Sequence, residues 1–242
     1  MSQPSVVLHQ AQRTWGMPSA SPFATKAEFF LRAAKVPHTV AGFNPMQAPR
    51  GKMPYINLKG NFVPDSEGIY KIVSREFGVD FESHLSAGQK ALSQVVRRTL
   101  EDGTYFIVYW NRWGVDANWK KVKTDYFGSM PPGVRTVVPE ILRKKVIKMC
   151  KGHGVARYSM DELTATMSAD VNAVVDLMDD KGPYFFGEKL SKVDFTVYAF
   201  LLSLLKGQEP EPMKLVLNDK AKIERYVKGI EATYFADLAA AR

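Results

Sequence analysis

The sequence predicts a small α/β domain built on a mixed β-sheet, followed by an all-helical domain. Short apolar runs alternate with helical patterns over the first 80 residues, and strand patterns stop from about residue 86. The chain has 242 residues, of which 45% are hydrophobic, and this suffices to bury a sizeable core. We therefore place the first domain at 1–80 and the all-helical domain at 81–242.

The elements of the first domain follow from local signals. Ser21-Pro22 is typical of a helix start, with serine at the cap and proline at the first helical position, and Asp65-Ser66 indicates a second helix start that runs to Gly78. Strands are predicted at 6–8, 38–43, 54–58 and 62–63. A helix between the first two strands requires a parallel crossover, whereas the turn before residue 62 predicts an antiparallel hairpin. The result is a small mixed sheet with helices against it.

The second domain is predicted from capping patterns and helical stripes. Ser159 with Glu162 forms a capping box, and Ser191 with Asp194 resembles one ahead of an almost wholly apolar helix, which should be buried. Asp194 is therefore expected to cap that helix. Helical stripes are predicted at Leu92, Val95, Val96, Thr99 and Leu100, at Tyr105, Tyr109 and Trp113, and at Ile141, Leu142, Val146, Met149 and Cys150.

Composition excludes several classes of protein. A single cysteine, Cys150, rules out a disulfide framework, and we expect this thiol to be buried. Four scattered histidines give no metal-binding spacing, so no metal site is predicted. The longest apolar run is too short to span a bilayer, and the first 13 residues lack the pattern of a secretory signal.

The net charge of +8 raises the question of an anionic partner. The charge is spread over the chain and no nucleic-acid signature accompanies it, so we predict no nucleic-acid partner. We interpret the basic cluster at 143–151 as a solvated helix face, with contact to an anionic surface as the alternative.

Four segments in fixed order carry a family resemblance. Ser21-Pro22-Phe23-Ala24, Lys52-Met53-Pro54-Tyr55 and Asp65-Ser66 resemble the N-terminal domain of glutathione S-transferases, and 186–195 resembles the second capping motif of their helical domain. The likeness is greatest to the branch with failed-axon-connections-like and metaxin-like proteins. It implies a thioredoxin-like domain followed by an all-helical domain of the transferase C-terminal type.

The resemblance implies that glutathione binds to the first domain as a co-substrate. The Met53–Pro54 peptide bond is expected to be cis, with the main chain of Met53 pairing with the cysteinyl part of glutathione. A trans proline in a loop is the alternative. Lys52 would hold the glycine carboxylate, although a lysine at such a position is commonly just solvated.

The start of the second helix is the expected γ-glutamyl site. A helix N-terminus offers unpaired amides, so the hydroxyl and amide of Ser66 would take the γ-glutamyl carboxylate. Asp65 or Glu67 would balance the ammonium group. A plain helix cap explains the local sequence equally well.

Ser21 is the expected catalytic residue. It lies where cysteine-type members of the superfamily place a reactive cysteine, and its hydroxyl would stabilise the glutathione thiolate and lower the thiol pKa. Ser19 is a weaker alternative for this role. In a second alternative, the Ser21 hydroxyl only caps the helix and binds no ligand.

The predicted activity is that of a cytoplasmic glutathione transferase acting on an apolar electrophile. The electrophile pocket is expected between the domains, with Tyr105, Tyr109 and Trp113 as candidate lining residues that could equally be core. A homodimer is possible. The rival hypothesis is a non-catalytic, metaxin-like interaction module with the same fold.

Overall fold

The computed structural model describes residues 6–207 and 215–240 of the chain. The prediction that there is no secretory signal concerns residues 1–13, which lie partly outside the described residues. The strands are β1 (Val6–Gln10), β2 (His38–Gly42), β3 (Tyr55–Leu58) and β4 (Asn61–Pro64). The helices are α1 (Pro22–Ala33), α2 (Ser66–Phe77), α3 (Ala87–Arg98), α4 (Tyr105–Gly114), α5 (Asp116–Phe127), α6 (Pro132–His153), α7 (Met160–Asp176), α8 (Lys192–Lys206), α9 (Lys220–Tyr234) and α10 (Ala236–Ala240).

The four strands form one mixed sheet in the order β2-β1-β3-β4. β1 pairs with β2 in parallel, with Val6 opposite His38, and pairs antiparallel with β3, with His9 opposite Tyr55. β3 and β4 form the antiparallel hairpin. The predicted crossover and hairpin are both confirmed. Residues 43–54, between β2 and β3, contain turns and no helix.

Two compact units make up the chain. One comprises Met1–Ser93, Asp179–Lys206 and Ile223–Arg242, and the other comprises Gln94–Met178 and Gly207–Lys222. The sheet therefore shares its unit with α8 and α9. The domain boundary at residue 80 stays a prediction from sequence.

Aromatic side chains build much of the core of the first unit. The ring of Phe29 on α1 has no exposed surface, and its centroid lies 4.9 Å from that of Phe195 and 5.0 Å from those of Tyr198 and Tyr234. The centroid of Phe235 lies 5.9 Å away. Residues distant in sequence thus complete the core beneath the sheet.

Asp194 caps the buried helix α8, as predicted. Its carboxylate accepts hydrogen bonds from the main-chain N–H groups of Phe185 (2.7 Å) and Ser191 (2.8 Å) and from the Ser191 hydroxyl (2.7 Å). The Tyr226 hydroxyl donates a fourth bond to it at 2.9 Å. Burial raises the pKa of this carboxyl, and the four donors oppose that effect. In the other unit, the capping box of Ser159 and Glu162 is also present.

The stripes at 92–100 and 141–150 lie on helices, as predicted. A π-helical turn, Thr99–Thr104, lies between α3 and α4 and shifts the helical phase, which explains the five-residue step from Leu100 to Tyr105. Two members of the stripes, Val95 and Ile141, are 60% and 49% exposed. The phase of a short apolar stripe does not show which half of an amphipathic helix is covered.

Cys150 is fully buried, as predicted, and burial raises the pKa of its thiol to about 11. The basic cluster around it divides into two parts. Lys144, Lys145 and Lys148 are exposed, whereas the Arg143 guanidinium donates to the Trp113 carbonyl oxygen at 2.8 Å. The interpretation as a solvated face is therefore wrong for Arg143, which anchors the end of α4, and stays a prediction for the exposed lysines.

Candidate functional site

The predicted ligand-binding residues meet at one edge of the sheet. β1 ends at Gln10, and its antiparallel partner β3 begins at Tyr55, opposite His9. β4 ends at Pro64, opposite Tyr55. The Met53–Pro54 bond before β3 and the Asp65-Ser66 turn after β4 therefore lie together. A direct hydrogen bond joins them, from the Asp65 N–H to the Pro54 carbonyl oxygen at 3.1 Å.

The loop that leads to Ser21 is tied to the same edge. The Gln10 side-chain amide donates to the Pro18 carbonyl oxygen at 3.1 Å, and the Ser19 hydroxyl donates to the Ala11 carbonyl oxygen at 3.2 Å. These bonds return the loop to the end of β1 just before α1 begins.

The two candidate serines have different surroundings. Ser19 is 1% exposed, and its Oγ also accepts the Ser21 N–H at 3.3 Å, so its hydroxyl supports the loop. Ser21 occupies the N-cap position, as predicted, but its side chain makes no capping hydrogen bond. Its Oγ has no hydrogen-bond partner among the residues that the structure describes, and it is half-buried. The hydroxyl of Ser21 is thus available to a ligand and that of Ser19 is occupied.

The Met53–Pro54 peptide bond is cis, as the resemblance implied. Pro54 is buried and Met53 is half-buried. Within the described part of the chain, neither the N–H nor the carbonyl of Met53 forms a hydrogen bond. An extended ligand could pair with both groups, as a neighbouring strand would.

Asp65 forms the corner between β4 and α2. Its backbone φ is +72°, in the region that side chains disfavour, and one carboxylate oxygen accepts the Glu67 N–H at 3.0 Å. The second oxygen lies 3.7 Å from a guanidinium nitrogen of Arg50. Residues held in sparsely populated backbone conformations concentrate at ligand-binding sites.

Ser66, the first residue of α2, is 4% exposed. Its N–H and hydroxyl form no hydrogen bond to any other described residue. Both donors lie at the positive end of the helix dipole, a setting that favours a carboxylate.

Glu67 holds two lysines and is not open to a ligand ammonium group. Its Oε1 lies 2.5 Å from the Lys26 Nζ and its Oε2 lies 2.9 Å from the Lys192 Nζ. Burial alone would raise its pKa, but attraction to the two lysines outweighs burial and lowers the pKa to about 2. Of the two residues predicted to balance the ammonium group, Asp65 therefore has the more accessible carboxylate, since its side chain is 50% exposed.

Sequence reasoning missed Lys26, Lys192 and Arg50. The signal for Lys26 was its position between Phe23 and Phe30 at three- and four-residue steps, which places a charge on the apolar face of α1. Its side chain is only 3% exposed. A buried lysine requires a partner carboxylate, so its place in the pattern predicts one.

The depressed pKa of Glu67 predicts how stability depends on pH. Its ordinary pKa is 4.5 and its folded-state pKa is about 2, so its contribution is complete above pH 4.5 and is lost as pH falls through 2. We expect this to amount to roughly 3 kcal/mol. Urea unfolding at pH 6 and pH 3 should therefore show a larger loss for the wild type than for Glu67→Gln. Equal losses would contradict the assignment.

The loop before β3 carries two exposed basic residues, Arg50 and Lys52. No acidic residue occurs between Glu28 and Asp65, whereas Arg50 and Lys52 lie in the loop that precedes β3. Lys52 is exposed, and its ammonium group forms no ion pair with any described residue. The local field favours an anionic ligand.

The aromatic stripe of α4 lies in the other unit. The ring centroids of Tyr105 and Tyr109 lie 4.9 Å apart, and those of Tyr109 and Trp113 lie 5.6 Å apart. Trp113 is 6% exposed and belongs to the core, while both tyrosines are partly exposed. Burial raises the pKa of Tyr109 to about 12, so its hydroxyl stays protonated at neutral pH.

Two features are absent from the residues that the structure describes. No cluster of three or more histidine, cysteine, aspartate or glutamate side chains there could hold a metal ion. Likewise, none of the described helices has the length and apolar character needed to cross a bilayer.

Comparison with known proteins agrees with the resemblance found in the sequence. Residues 22–119 match the family described as glutathione S-transferase N-terminal domain. The recognition of the glutathione S-transferase superfamily, made from the ordered motifs, is confirmed.

Three curated relatives are similar to the chain over most of its length. It is 28% identical over 200 residues to isoprene-epoxide--glutathione S-transferase of Rhodococcus sp., covering 77% of this chain and 81% of the relative. It is 26% identical to Failed axon connections of Drosophila melanogaster, covering 82% of this chain and 50% of the relative. It is 22% identical to the Metaxin-1 homolog of Drosophila melanogaster, covering 84% of this chain and 64% of the relative. The likeness to the failed-axon-connections and metaxin branch is thereby confirmed.

Solved structures confirm the fold. The beta-etherase of Sphingobium sp. strain SYK-6 aligns with a TM-score of 0.65 at 14% identity, covering 98% of this chain and 99% of that structure. Glutaredoxin 2 of Salmonella typhimurium, solved in complex with glutathione, aligns with a TM-score of 0.60 at 14% identity, covering 98% and 97%.

Proposed function

We propose that this protein is a glutathione transferase that ionises the glutathione thiol with the help of the Ser21 hydroxyl. One observation carries the proposal. The groups assigned to glutathione are the Ser21 hydroxyl, the main-chain N–H and carbonyl of Met53, and the N–H and hydroxyl of Ser66. None of them forms a hydrogen bond to another described residue. Polar groups near a folded core are normally paired, so three unpaired sets at one sheet edge favour a ligand.

Each part of glutathione has a matching group. The main chain of Met53 pairs with the cysteinyl residue, and the N–H and hydroxyl of Ser66 donate to the γ-glutamyl carboxylate. Asp65 balances the ammonium group, and Lys52 lies on the side of the glycine carboxylate. The two carboxylates of glutathione also suit the positive loop before β3.

The chemistry requires a thiolate. The thiol releases its proton to solvent, and the Ser21 O–H donates a hydrogen bond to the resulting anion, which lowers the thiol pKa. The sulfur electron pair then attacks an electrophilic carbon, forming an S–C bond as the bond to the leaving group breaks. An epoxide is the first electrophile to test, because one relative is named for isoprene epoxide. There the C–O bond opens and the oxygen takes a proton.

Glutathione binding is the first test. At a concentration 100 times its dissociation constant, a ligand adds about 2.7 kcal/mol of stability, which corresponds to roughly 5–10 °C in Tm for a chain of this size. We expect glutathione and S-methylglutathione to give this shift in differential scanning fluorimetry, and cysteinylglycine, which lacks the γ-glutamyl group, to give much less. No shift at millimolar glutathione would contradict the proposal.

The second candidate is a non-catalytic interaction module. It is favoured by the relatives Failed axon connections and Metaxin-1 homolog, whose names do not denote transferases. Thermal stabilisation by glutathione without conjugation of epoxides or aryl halides would favour this candidate. We place it second because a purely structural serine at position 21 would be expected to cap its helix, and Ser21 does not.

A further inference from the structure

A partly buried charge bridge joins the starts of the two helices that carry the site. Lys26 lies on α1, just over one turn after Ser21, and its side chain is 3% exposed. Glu67 follows Ser66 in the first turn of α2 and contacts Lys26 at 2.5 Å. Its second oxygen contacts Lys192, in the first turn of α8, at 2.9 Å.

The bridge is anchored on both sides. The Glu67 N–H is held by the Asp65 carboxylate at 3.0 Å, so the side chain projects from the same turn that presents Ser66. The Lys192 ammonium also lies 4.4 Å from the ring centroid of Tyr70, on α2. A change at Glu67 would release the first turn of α2 from both neighbouring helices.

We propose that Glu67 is a positioning residue, which fixes Ser66 on α2 relative to Ser21 on α1 and so sets the span between the γ-glutamyl and thiol ends of bound glutathione. This inference rests on the proposed function. Glu67 does not touch the ligand, since both of its oxygens are held by lysines. Buried ion pairs often add little net stability against apolar replacements but do fix one arrangement of the groups that they join.

A matched control lies in the other unit. The Glu101 side chain is 7% exposed, and its carboxylate contacts Arg97, four residues earlier, at 2.7 Å. Glu101→Gln therefore also breaks an ion pair of low exposure, but it leaves α1, α2 and the loop before Ser21 untouched.

The experiment compares Glu67→Gln and Glu101→Gln with the wild type. We expect Glu67→Gln to raise the dissociation constant of S-methylglutathione and the KM for glutathione each about tenfold, with kcat at saturation within twofold. Glu101→Gln should lower Tm by a similar amount with both constants unchanged. Lys192→Gln, which keeps the Lys26 contact, should give an intermediate rise of about threefold and serves if Glu67→Gln does not fold.

The outcomes separate the two proposals. If the wild type does not bind S-methylglutathione, the proposed function fails and this inference fails with it. If the wild type binds and Glu67→Gln binds equally well, the positioning role alone is overturned. An equal loss of affinity in Glu67→Gln and Glu101→Gln would indicate a general loss of rigidity and would also overturn it.

Discussion

Replacing Ser21 with alanine is expected to lower kcat for glutathione conjugation roughly 100-fold near neutral pH. The reason is that a hydrogen bond to the thiolate worth two pKa units changes the ionised fraction by that factor below both pKa values. Affinity for S-methylglutathione should change by less than about twofold, because that ligand has no thiol to ionise. Fold stability should also change little, since the Ser21 hydroxyl makes no capping bond.

The measurement is kcat against pH for the wild type and Ser21→Ala, together with the ultraviolet absorbance of bound thiolate. The absorbance titration should move to higher pH in the variant. Ser159→Ala is the matched control, since it removes a capping serine from α7, in the other unit, and should reduce stability by about 1 kcal/mol with kcat unchanged. An unchanged kcat in Ser21→Ala would remove Ser21 from the catalytic role.

Replacing Asp194 with alanine is expected to have the largest effect on stability. The change leaves the N–H groups of Phe185 and Ser191 and two hydroxyls without their acceptor in a fully buried place. Buried unsatisfied donors cost about 1–3 kcal/mol each, and partial relaxation makes ~4 kcal/mol a reasonable total. The expected fall in Tm is roughly 10 °C.

Thermal unfolding followed by circular dichroism would measure this loss. Tyr226→Phe removes only one of the four donors, at 2.9 Å, and should lower stability by about 1 kcal/mol. This milder variant remains informative if Asp194→Ala does not fold. A loss in Asp194→Ala no larger than that in Tyr226→Phe would show that the carboxylate is not the central acceptor.

Most of the first domain could be predicted because its signals are local. Cap residues, turn residues and strand alternation place Ser21, Pro54 and Ser66 without knowledge of distant contacts. The ligand-facing character of Ser21 could not be predicted, because a free hydroxyl and a capping hydroxyl have the same sequence pattern. The structure separates them through Ser19, whose hydroxyl supports the loop and accepts the Ser21 N–H.

The main features that sequence analysis missed are contacts between side chains that are distant in sequence. Lys192 reaches Glu67 across more than half of the chain, and no local rule pairs them. Similarly, the stripe that contains Ile141 does lie on a helix, but the exposure of the Ile141 side chain depends on which other elements cover that helix. The five-residue step at Leu100 was present in the sequence and could have indicated the π-helical turn.

The rings that surround Phe29 have a consequence for biosynthesis. Phe195, Tyr198, Tyr234 and Phe235 leave the ribosome long after β1, α1 and β2. Translation proceeds at about 5–20 residues per second. The apolar face of the nascent sheet therefore stays uncovered for several seconds to tens of seconds. We therefore expect this region to acquire its native packing only after Phe235 has been synthesised, and to need chaperone protection until then.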